Sequence, residues 1–420
     1  MKPKERLITT LNHTEPDRVC VDFGATPITG MHVSIVSQLW KRHFGQSDYR
    51  VKVIEPYQML GEIDTGLREL LHIDVLGIQG RKSLIGTDEE GPWKPFTLFD
   101  GTEALVHHNL NYTVDPEKGD RLGYPEGDTS VPPSVRMPNG GFFWDTIIRQ
   151  DPIDESKLTV ADNTEEFKPL GEADFSYYQK KRKWLNRHSE YGVVLNIPGT
   201  GFGDIALVPG PFMKHPKGIR DIQEWYISGL VRRDFVYEVF EKQCEIGLQT
   251  IDQLADLFGD EVQVAMVTGT DFGMQSGLFI SIDSYRDLYK PFHIAINKRI
   301  HEKTHWKTFI HSCGSVRDLI PDFIEAGFDI LNPVQCSAAG MDARELKNEF
   351  GKNIVFWGGG VDTQNTLPYG TPEEVYREVR ERIDIFAPGG GFVFNTIHNI
   401  QGNVPIENVE AMFKAIQESY

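Results

Sequence analysis

The stretch NIVFWGGGVDTQNTLPYGTPEEVYREVRERIDIFAPGGGFVFNTIH, residues 353–398, contains a strand pattern, a helix pattern and a second strand pattern in succession. The runs IVFW and FVF are short, apolar and rich in β-branched and aromatic residues, which is typical of buried strands. Between them, TPEEVYREVRERIDIF has the spacing of a helix. A strand, a helix and another strand in this order predict two parallel strands joined by a helical crossover.

The same alternation extends over most of the chain and gives eight candidate strands in total. The other six are RVCVDFG (18–24), DVLGI (74–78), YGVVLNIPG (191–199), VQVAMVTGT (262–270), KTFIHSCGS (307–315) and DILNPVQ (329–335). Eight strands that alternate with helices predict an α/β fold, a (β/α)8 TIM barrel.

Two segments interrupt this alternation. Residues 81–150 are rich in turn formers and short alternating runs, which predicts an inserted β-hairpin region or cap. Residues 209–217, PGPFMKHPK, are loop-like, and we expect them to lie over the barrel mouth. One barrel spanning residues 1–420 with an insertion is a simpler interpretation than two domains.

Composition excludes several classes of protein. The 61 acidic and 43 basic residues give a net charge of -18, and no run of basic residues offers a site for nucleic acid. No apolar run approaches the roughly 20 residues of a membrane span, and the charged start has no apolar secretion segment. The four cysteines are too few for a disulfide framework. We expect a cytoplasmic protein with reduced thiols and with neither membrane nor nucleic acid as a partner.

Two possible metal motifs lie close together in HEKTHWKTFIHSCGS, residues 301–315. The first, H-E-x-x-H from His301 to His305, resembles the zinc-binding helix of metallopeptidases. Its histidines lie off the predicted apolar seam, at the end of a helix that precedes a strand, which is the barrel face away from an active site. The seam consists of Leu288, Phe292, Ile296 and Ile300. We therefore expect H-E-x-x-H to bind no metal.

The second motif, His311 and Cys313, closes a strand, and the two-residue period places both side chains on one face at its C-terminal end. A thiolate and a neutral imidazole are suitable zinc ligands, although a buried thiol and a core histidine explain the spacing equally well. Polar residues at other strand ends favour a site, because they converge on the same end of the barrel. They are Asp271, Gln275, Gln335, Cys336, Asp362, Asn395, His398 and Asn399. Cys20 and Cys244 are expected to be structural.

These patterns resemble the uroporphyrinogen decarboxylase superfamily over nearly the whole chain. The resemblance rests on KERLITTLNHTEPDRV, HIDVLGI, VTGTDFGMQSGLFIS, FIHSCGSVRDLIPDFIEAGFDILN, FWGGGVDT and the ending GFVFNTIHN...VPIENVEAM. It implies a (β/α)8 barrel with one of two chemistries.

One branch of the superfamily removes carboxyl groups from uroporphyrinogen without a metal. The resemblance to it implies that Asp74 and His398 form a charge-stabilising pair. That branch carries an arginine-rich R-x-x-A-G-R-Y segment, whereas the matching residues 22–34 here, DFGATPITGMHVS, contain neither Arg nor Lys. Carboxylate recognition depends on guanidinium groups, so a decarboxylase of a porphyrinogen or another small carboxylate is kept as the alternative.

The other branch contains zinc-dependent methyltransferases that work with corrinoid proteins, and this chain is closer to it. Their H-x-C matches His311 and Cys313, but their distal cysteine has no counterpart, because Cys336 is the last cysteine here. The third ligand is therefore Cys336, or His398 completes the site, or no metal binds.

The sequence predicts a zinc-dependent methyltransferase that moves a methyl group between a corrinoid protein and a small acceptor or donor. We expect His311, Cys313 and Cys336 as metal ligands, and the predicted catalytic residues are His398, Asp271 and Asp74. The predicted substrate-binding residues are Asn395, Gln275, Asp362 and Gln335. The chain has no D-x-H-x-x-G motif for a cobalamin ligand, so the corrinoid is expected on a separate protein. A corrinoid-binding scaffold without catalysis is the third possibility.

Overall fold

Eight parallel strands form a nearly closed barrel in the computed structural model, which describes residues 1–45 and 48–419. In chain order they are β1 (Cys20–Val21), β2 (Val75–Ile78), β3 (Gly192–Asn196), β4 (Val264–Thr268), β5 (Lys307–His311), β6 (Ile330–Asn332), β7 (Val355–Trp357) and β8 (Phe392–Phe394). From β2 to β8 each strand pairs with the next one in the chain, and β8 pairs with β1. All eight strands predicted from the sequence are present, and the predicted (β/α)8 fold is confirmed.

The barrel closes between β1 and β2 through a backbone contact rather than a ladder. The amide of Asp74 donates to the carbonyl of Val21 at 2.8 Å. Nearer the C-terminal ends of the two strands, the backbone at Ala25, in the loop after β1, passes close to Gly77 of β2. A Cβ on Gly77 would lie 2.0 Å from the carbonyl oxygen of Ala25, so only glycine allows this approach.

Helices cover the outside of the barrel and its lower end. They are Pro3–Leu11, Val33–Phe44, Thr65–Leu70, Glu172–Leu185, Ile222–Val231, Arg233–Phe258, Ile282–Ser284, Lys290–Lys303, Ile320–Glu325, Ala343–Phe350, Thr366–Tyr369, Pro372–Phe386 and Ile406–Gln417. A π-helical turn, Tyr285–Tyr289, leads into Lys290–Lys303. Short 3-10 turns occur at Pro125–Gly127, Val160–Asn163, Gly259–Glu261 and Arg317–Leu319.

The barrel interior is filled by one apolar side chain or more from each strand, together with Leu7 and Leu11 of the first helix. The strand residues are Cys20, Val75, Val194, Val264, Phe309, Ile330, Val355, Trp357 and Val393. Because side chains alternate along a strand, residues two positions further on face the same interior at the C-terminal end. His311, Asn332 and Asn395 follow Phe309, Ile330 and Val393 at this spacing and are buried.

Ten short strands lie outside the barrel. One sheet contains Val51–Glu55, Leu60–Gly61, Trp93–Thr97 and Glu103–His107, and a second contains Tyr112–Val114, Arg121–Gly123, Val135–Met137 and Asp145–Thr146. Gly273–Met274 and Gly277–Leu278 form a small hairpin after β4. The first sheet includes strands that precede β2, so this β-rich region uses residues outside the predicted 81–150 insertion.

Asp74 does not lie at the barrel mouth beside His398, so the structure does not form the pair that the resemblance implies. It immediately precedes β2, which places it at the N-terminal end of the barrel. Its buried carboxylate accepts hydrogen bonds from Arg6 at 2.6 Å and from Arg18 at 2.8 and 2.9 Å. The carboxylate therefore joins the first helix and the start of the chain to the bottom of the barrel.

The H-E-x-x-H sequence does not form a continuous helical turn. The helix Lys290–Lys303 ends before His305, and Thr304 at its end has an extended conformation. His301 Nε2 lies 2.8 Å from an oxygen of Asp329, and both histidines are exposed. The four residues predicted as the apolar seam are all buried. Among the described residues, no helix is long and apolar enough to cross a membrane.

Candidate metal centre

Three side chains that suit a metal ion converge at the mouth of the barrel. His311 ends β5, Cys313 follows two residues later, and His398 lies in the loop after β8. One ligand atom from each lies within 4.8 Å of the other two. The thiol sulfur of Cys313 is 3.3 Å from Nε2 of His311, and the rings of His311 and His398 meet edge to face with centroids 5.5 Å apart. The predicted histidine–cysteine pair is thus joined by His398.

The imidazole of His311 is held by the next strand. Its Nδ1 lies 2.6 Å from Oδ1 of Asn332, which occupies the paired position on β6. The amide of Asn332 also donates from Nδ2 to the carbonyl of Trp357 at 2.8 Å. Burial lowers the pKa of His311 to about 4, although the bond to Asn332 acts in the opposite direction. The ring is therefore neutral at physiological pH, as a metal ligand must be.

Cys313 is positioned by a tight turn that requires glycine at the next residue, Gly314. The amide of Cys313 donates to Oδ1 of Asp271 at 2.6 Å. The next residue, Gly314, has a φ of +87°, and a Cβ there would lie 2.4 Å from the backbone of Gly273. Burial, reinforced by the carboxylate of Asp271, raises the pKa of the Cys313 thiol well above its usual value. A cation beside the sulfur would favour the thiolate.

His398 reaches the site from a loop that is anchored at several points. The hydroxyl of Thr396 donates to the carbonyl of His398. Oδ1 of Asn399 accepts from the amide of Gly30 at 2.6 Å, and its Nδ2 donates to the carbonyl of Pro27. Burial and, to a smaller extent, the neighbouring His311 lower the pKa of His398 to about 4, although Asp271 acts in the opposite direction. Both imidazoles are therefore available as neutral ligands.

Cys336, predicted as the third ligand, lies outside the group that the structure brings together. Oε1 of the preceding Gln335 accepts from the amide of Gly314 at 2.7 Å, so residue 335 turns toward the metal centre. The thiol of Cys336 instead packs against the core and lies within electrostatic reach of Arg382 and Glu378 on helix Pro372–Phe386. Burial raises its pKa to about 11. The structure thus brings His398, and not Cys336, close to His311 and Cys313.

The remaining predicted residues occupy different parts of the mouth. Asp271 lies beside the metal centre, with Oδ1 3.8 Å from Nε2 of His311, and burial raises its pKa. Gln335 accepts a hydrogen bond from the amide of Gly314, the residue that follows Cys313. Gln275 is exposed on the hairpin and donates to Gln364 at 2.7 Å. Asp362 caps its own loop by accepting from the amide of Gln364 at 2.8 Å.

Asn395 forms part of the floor beneath the metal centre. Its Nδ2 donates to the carbonyl of Asp22 at 2.7 Å and to that of Thr29 at 3.2 Å. Its Oδ1 is buried and has no partner among the described residues. This oxygen is available to a donor group of a bound molecule, whereas the amide nitrogen is committed to the loop after β1.

Three residues near the site were missed by sequence reasoning. Asn332 has a signal, because it is the polar residue in an otherwise apolar strand at the register of His311. Asp204 lies in the loop after β3, where burial and, to a smaller extent, the carboxylate of Asp271 raise the pKa of its carboxyl to about 6. Tyr226 on helix Ile222–Val231 places its hydroxyl 3.4 Å from the carbonyl oxygen of Asp271. No sequence pattern indicates that the last two approach the mouth.

The residues present fit a zinc ion. One thiolate and two imidazoles are ligand types that zinc prefers, and three protein ligands with an open position characterise its catalytic sites. Bonds of about 2.3 Å to sulfur and 2.0 Å to nitrogen in a tetrahedral site separate ligand atoms by about 3.5 Å. The 3.3 Å between the sulfur of Cys313 and Nε2 of His311 is close to this separation.

Comparison with known proteins agrees with this geometry. Residues 238–419, which include β4 to β8 and all three residues of the metal centre, match the family Uroporphyrinogen decarboxylase (URO-D). This segment is similar to the URO-D family. The resemblance predicted from the sequence is confirmed.

The curated proteins similar to this chain include a methyltransferase and a decarboxylase. A methylated-thiol–coenzyme M methyltransferase from Methanosarcina mazei is 26% identical over 144 residues, 34% of this chain and 35% of that protein. A uroporphyrinogen decarboxylase from Mannheimia succiniciproducens is 29% identical over 94 residues, 21% of this chain and 26% of that protein. The chain therefore spans about a third or less of the length of these relatives.

A solved structure has a similar fold over the entire length of this chain. The structure of a methyltransferase from Methanosarcina mazei has a TM-score of 0.55 at 14% identity, and the match covers 100% of this chain and 99% of that one. At this identity the likeness concerns the barrel architecture alone.

Proposed function

We propose that this protein is a zinc-dependent methyltransferase that moves a methyl group between a corrinoid protein and a small acceptor or donor. The observation that carries the proposal is the convergence of His311, Cys313 and His398 at the C-terminal end of a barrel. The curated relative named as a methylated-thiol–coenzyme M methyltransferase supports the same reaction class.

In this proposal His311, Cys313 and His398 hold the ion and leave one position open. Zinc bound there would supply Lewis acidity, which lowers the pKa of a thiol or hydroxyl group of the substrate. The low pKa values of the two imidazoles keep both rings uncharged at neutral pH. The two rings and the thiol are held by separate strands and loops, so their directions are set before any ligand binds.

Asp271 is the residue placed to hold a proton from the substrate. It lies beside both His311 and Cys313, and burial raises the pKa of its carboxyl, which makes it a better proton acceptor than an exposed aspartate. The hydroxyl of Tyr226 approaches the backbone of Asp271 and narrows access from the side of helix Ile222–Val231. Asn395 offers its unpartnered Oδ1 from the floor.

The corrinoid is proposed to come on a separate protein. The sequence contains no D-x-H-x-x-G motif to supply a cobalt ligand. The three residues that would hold zinc lie at the open end of the barrel, where a second protein could present a methyl group to a bound substrate.

The alternative is a metal-free decarboxylase, and the relative named as uroporphyrinogen decarboxylase supports it. Its expected pair, Asp74 and His398, is divided between the two ends of the barrel. Residues 22–34 also lack the basic side chains that substrate carboxylates require. Both observations weigh against porphyrinogen turnover.

Methyl transfer is tested with zinc-loaded protein, free methylcobalamin and coenzyme M as a thiol acceptor, by following the loss of the methylcobalamin absorbance without oxygen. We expect transfer that is lost in Cys313→Ala and His398→Ala but kept in Cys336→Ala. A parallel incubation with uroporphyrinogen measures stepwise loss of carboxyl groups. Robust decarboxylation together with no methyl transfer to any thiol or from any methyl donor would replace the proposal with the alternative.

A further inference from the structure

The bond between Asn332 and His311 has a fixed direction. Nδ2 of Asn332 lies 2.8 Å from the carbonyl oxygen of Trp357, which can only accept a hydrogen bond. The amide nitrogen must therefore face Trp357, and the amide oxygen faces Nδ1 of His311 at 2.6 Å. An amide oxygen cannot donate, so Nδ1 of the neutral imidazole carries the proton. The lone pair is then on Nε2, the atom that faces Cys313.

The position of Asn332 in the sheet makes this arrangement rigid. It is the residue of β6 paired with His311 on β5, and its side chain is 1% exposed. Trp357 ends β7, and its indole nitrogen donates to Oδ2 of Asp22 at 2.9 Å. A connected series of hydrogen bonds thus runs from the loop after β1 through β7 and β6 to the imidazole of His311.

We propose that Asn332 is a positioning residue that selects Nε2 of His311 as the metal-binding atom and holds the ring toward Cys313. The proposal rests on the metal site of the proposed function. The position of the proton on the neutral ring of His311 can nevertheless be measured in the metal-free protein. A hydrogen-bond acceptor beside the second nitrogen of a histidine ligand fixes both the tautomer and the orientation of the ring. Without this acceptor the neutral ring exchanges between its two tautomers and can rotate.

Two substitutions separate the roles of the two amide atoms. In Asn332→Leu, whose side chain has the same branching but no polar atom, both hydrogen bonds are lost, so Nδ1 of His311 has no acceptor. In Asn332→Asp the acceptor for Nδ1 is kept, whereas the donor to Trp357 is lost. Asn297→Leu is the matched control, because Asn297 is also fully buried and donates to one backbone carbonyl, that of Ala326, on the outside of the barrel.

The first measurement is nitrogen NMR of the metal-free protein labelled at histidine, which reports which ring nitrogen of His311 is protonated. Wild type and Asn332→Asp are expected to carry the proton on Nδ1, and Asn332→Leu is expected to show a mixture. The second measurement is the zinc dissociation constant by competition with a chelator. We expect a loss of about 10- to 100-fold in Asn332→Leu and a change of a few fold at most in Asn332→Asp and Asn297→Leu.

The proposal is overturned if Asn332→Leu keeps the proton on Nδ1, or if its zinc affinity matches that of wild type. If Asn332→Leu does not fold, Asn332→Ser takes its place, with the same two measurements. A protein that binds no zinc at all contradicts the proposed function, yet the NMR result on metal-free protein still decides the role of Asn332.

Discussion

Nε2 of His311 lies 3.3 Å from the thiol sulfur of Cys313, two residues further along the chain. His311 ends strand β5 and Cys313 follows it, and a different neighbouring residue fixes each of them. Asn332 on β6 orients the ring, and Asp271 after β4 binds the amide of Cys313. A pair of potential ligands that is fixed from both sides requires little rearrangement to bind a metal ion, which reduces the cost of binding.

The identity of the third ligand is the first prediction. We expect about one zinc per chain in wild type, a loss of most of it in His398→Ala, and full retention in Cys336→Ala, because the structure places His398 and not Cys336 beside the other two ligands. Elemental analysis after reconstitution and dialysis measures the ratio. Zinc that disappears from Cys336→Ala but remains in His398→Ala would restore the ligand expected from the sequence.

Zinc binding should depend on pH through the thiol. The pKa of Cys313 is raised by burial, so the thiol is protonated at neutral pH, whereas the pKa values of His311 and His398 are about 4 and both rings are already neutral. Zinc must then displace about one proton, and its affinity should rise about tenfold per pH unit between roughly pH 6 and pH 8. Calorimetry in buffers of different ionisation enthalpy counts the protons released. Cys336→Ala should keep the same slope, and an affinity that is flat over this range would contradict the assignment of Cys313.

The H-E-x-x-H sequence should be inert. Replacement of His301 and His305 by Ala removes only an exposed contact with Asp329, so zinc content should be unchanged and the free energy of unfolding should fall by less than about 1 kcal/mol. Elemental analysis and urea unfolding measure the two quantities, and His311→Ala serves as the control that loses zinc. Loss of zinc from a folded His301/His305 double variant would mean that the wrong motif was chosen.

Asp74 is expected to contribute to stability rather than to catalysis. In Asp74→Asn the guanidinium groups of Arg6 and Arg18 lose a fully buried counter-charge, and we expect unfolding to become easier by roughly 3–5 kcal/mol. Urea denaturation measures this, with Glu302→Gln on an exposed helical face as a control of less than about 1 kcal/mol. Zinc content per folded chain should not change. A stable Asp74→Asn protein that has lost only activity would return Asp74 to the catalytic residues.

The barrel could be predicted from local patterns because each strand carries its own evidence. Apolar runs such as those ending at Trp357 and Phe394 must be buried on both faces, and the helices between them restrict the strands to a parallel arrangement. The period of two within KTFIHSC likewise shows that His311 and Cys313 share one face. The sequence prediction did not apply the same rule to Asp74, which precedes β2 and therefore lies at the opposite end from residues that follow a strand.

Local sequence patterns could not predict which residue lies beside His311 and Cys313, because Cys336 and His398 both follow strands that end at the mouth of the barrel. Past the end of a strand, the direction of a side chain depends on how the loop turns, and contacts from distant parts of the chain set that turn. Gln335 binds the amide of Gly314 and leaves Cys336 facing Glu378 and Arg382, whereas Asn399 binds the amide of Gly30 and leaves His398 facing Cys313. The amino-acid order thus specifies the strands and the faces of their side chains, and packing between strands selects which polar side chains meet.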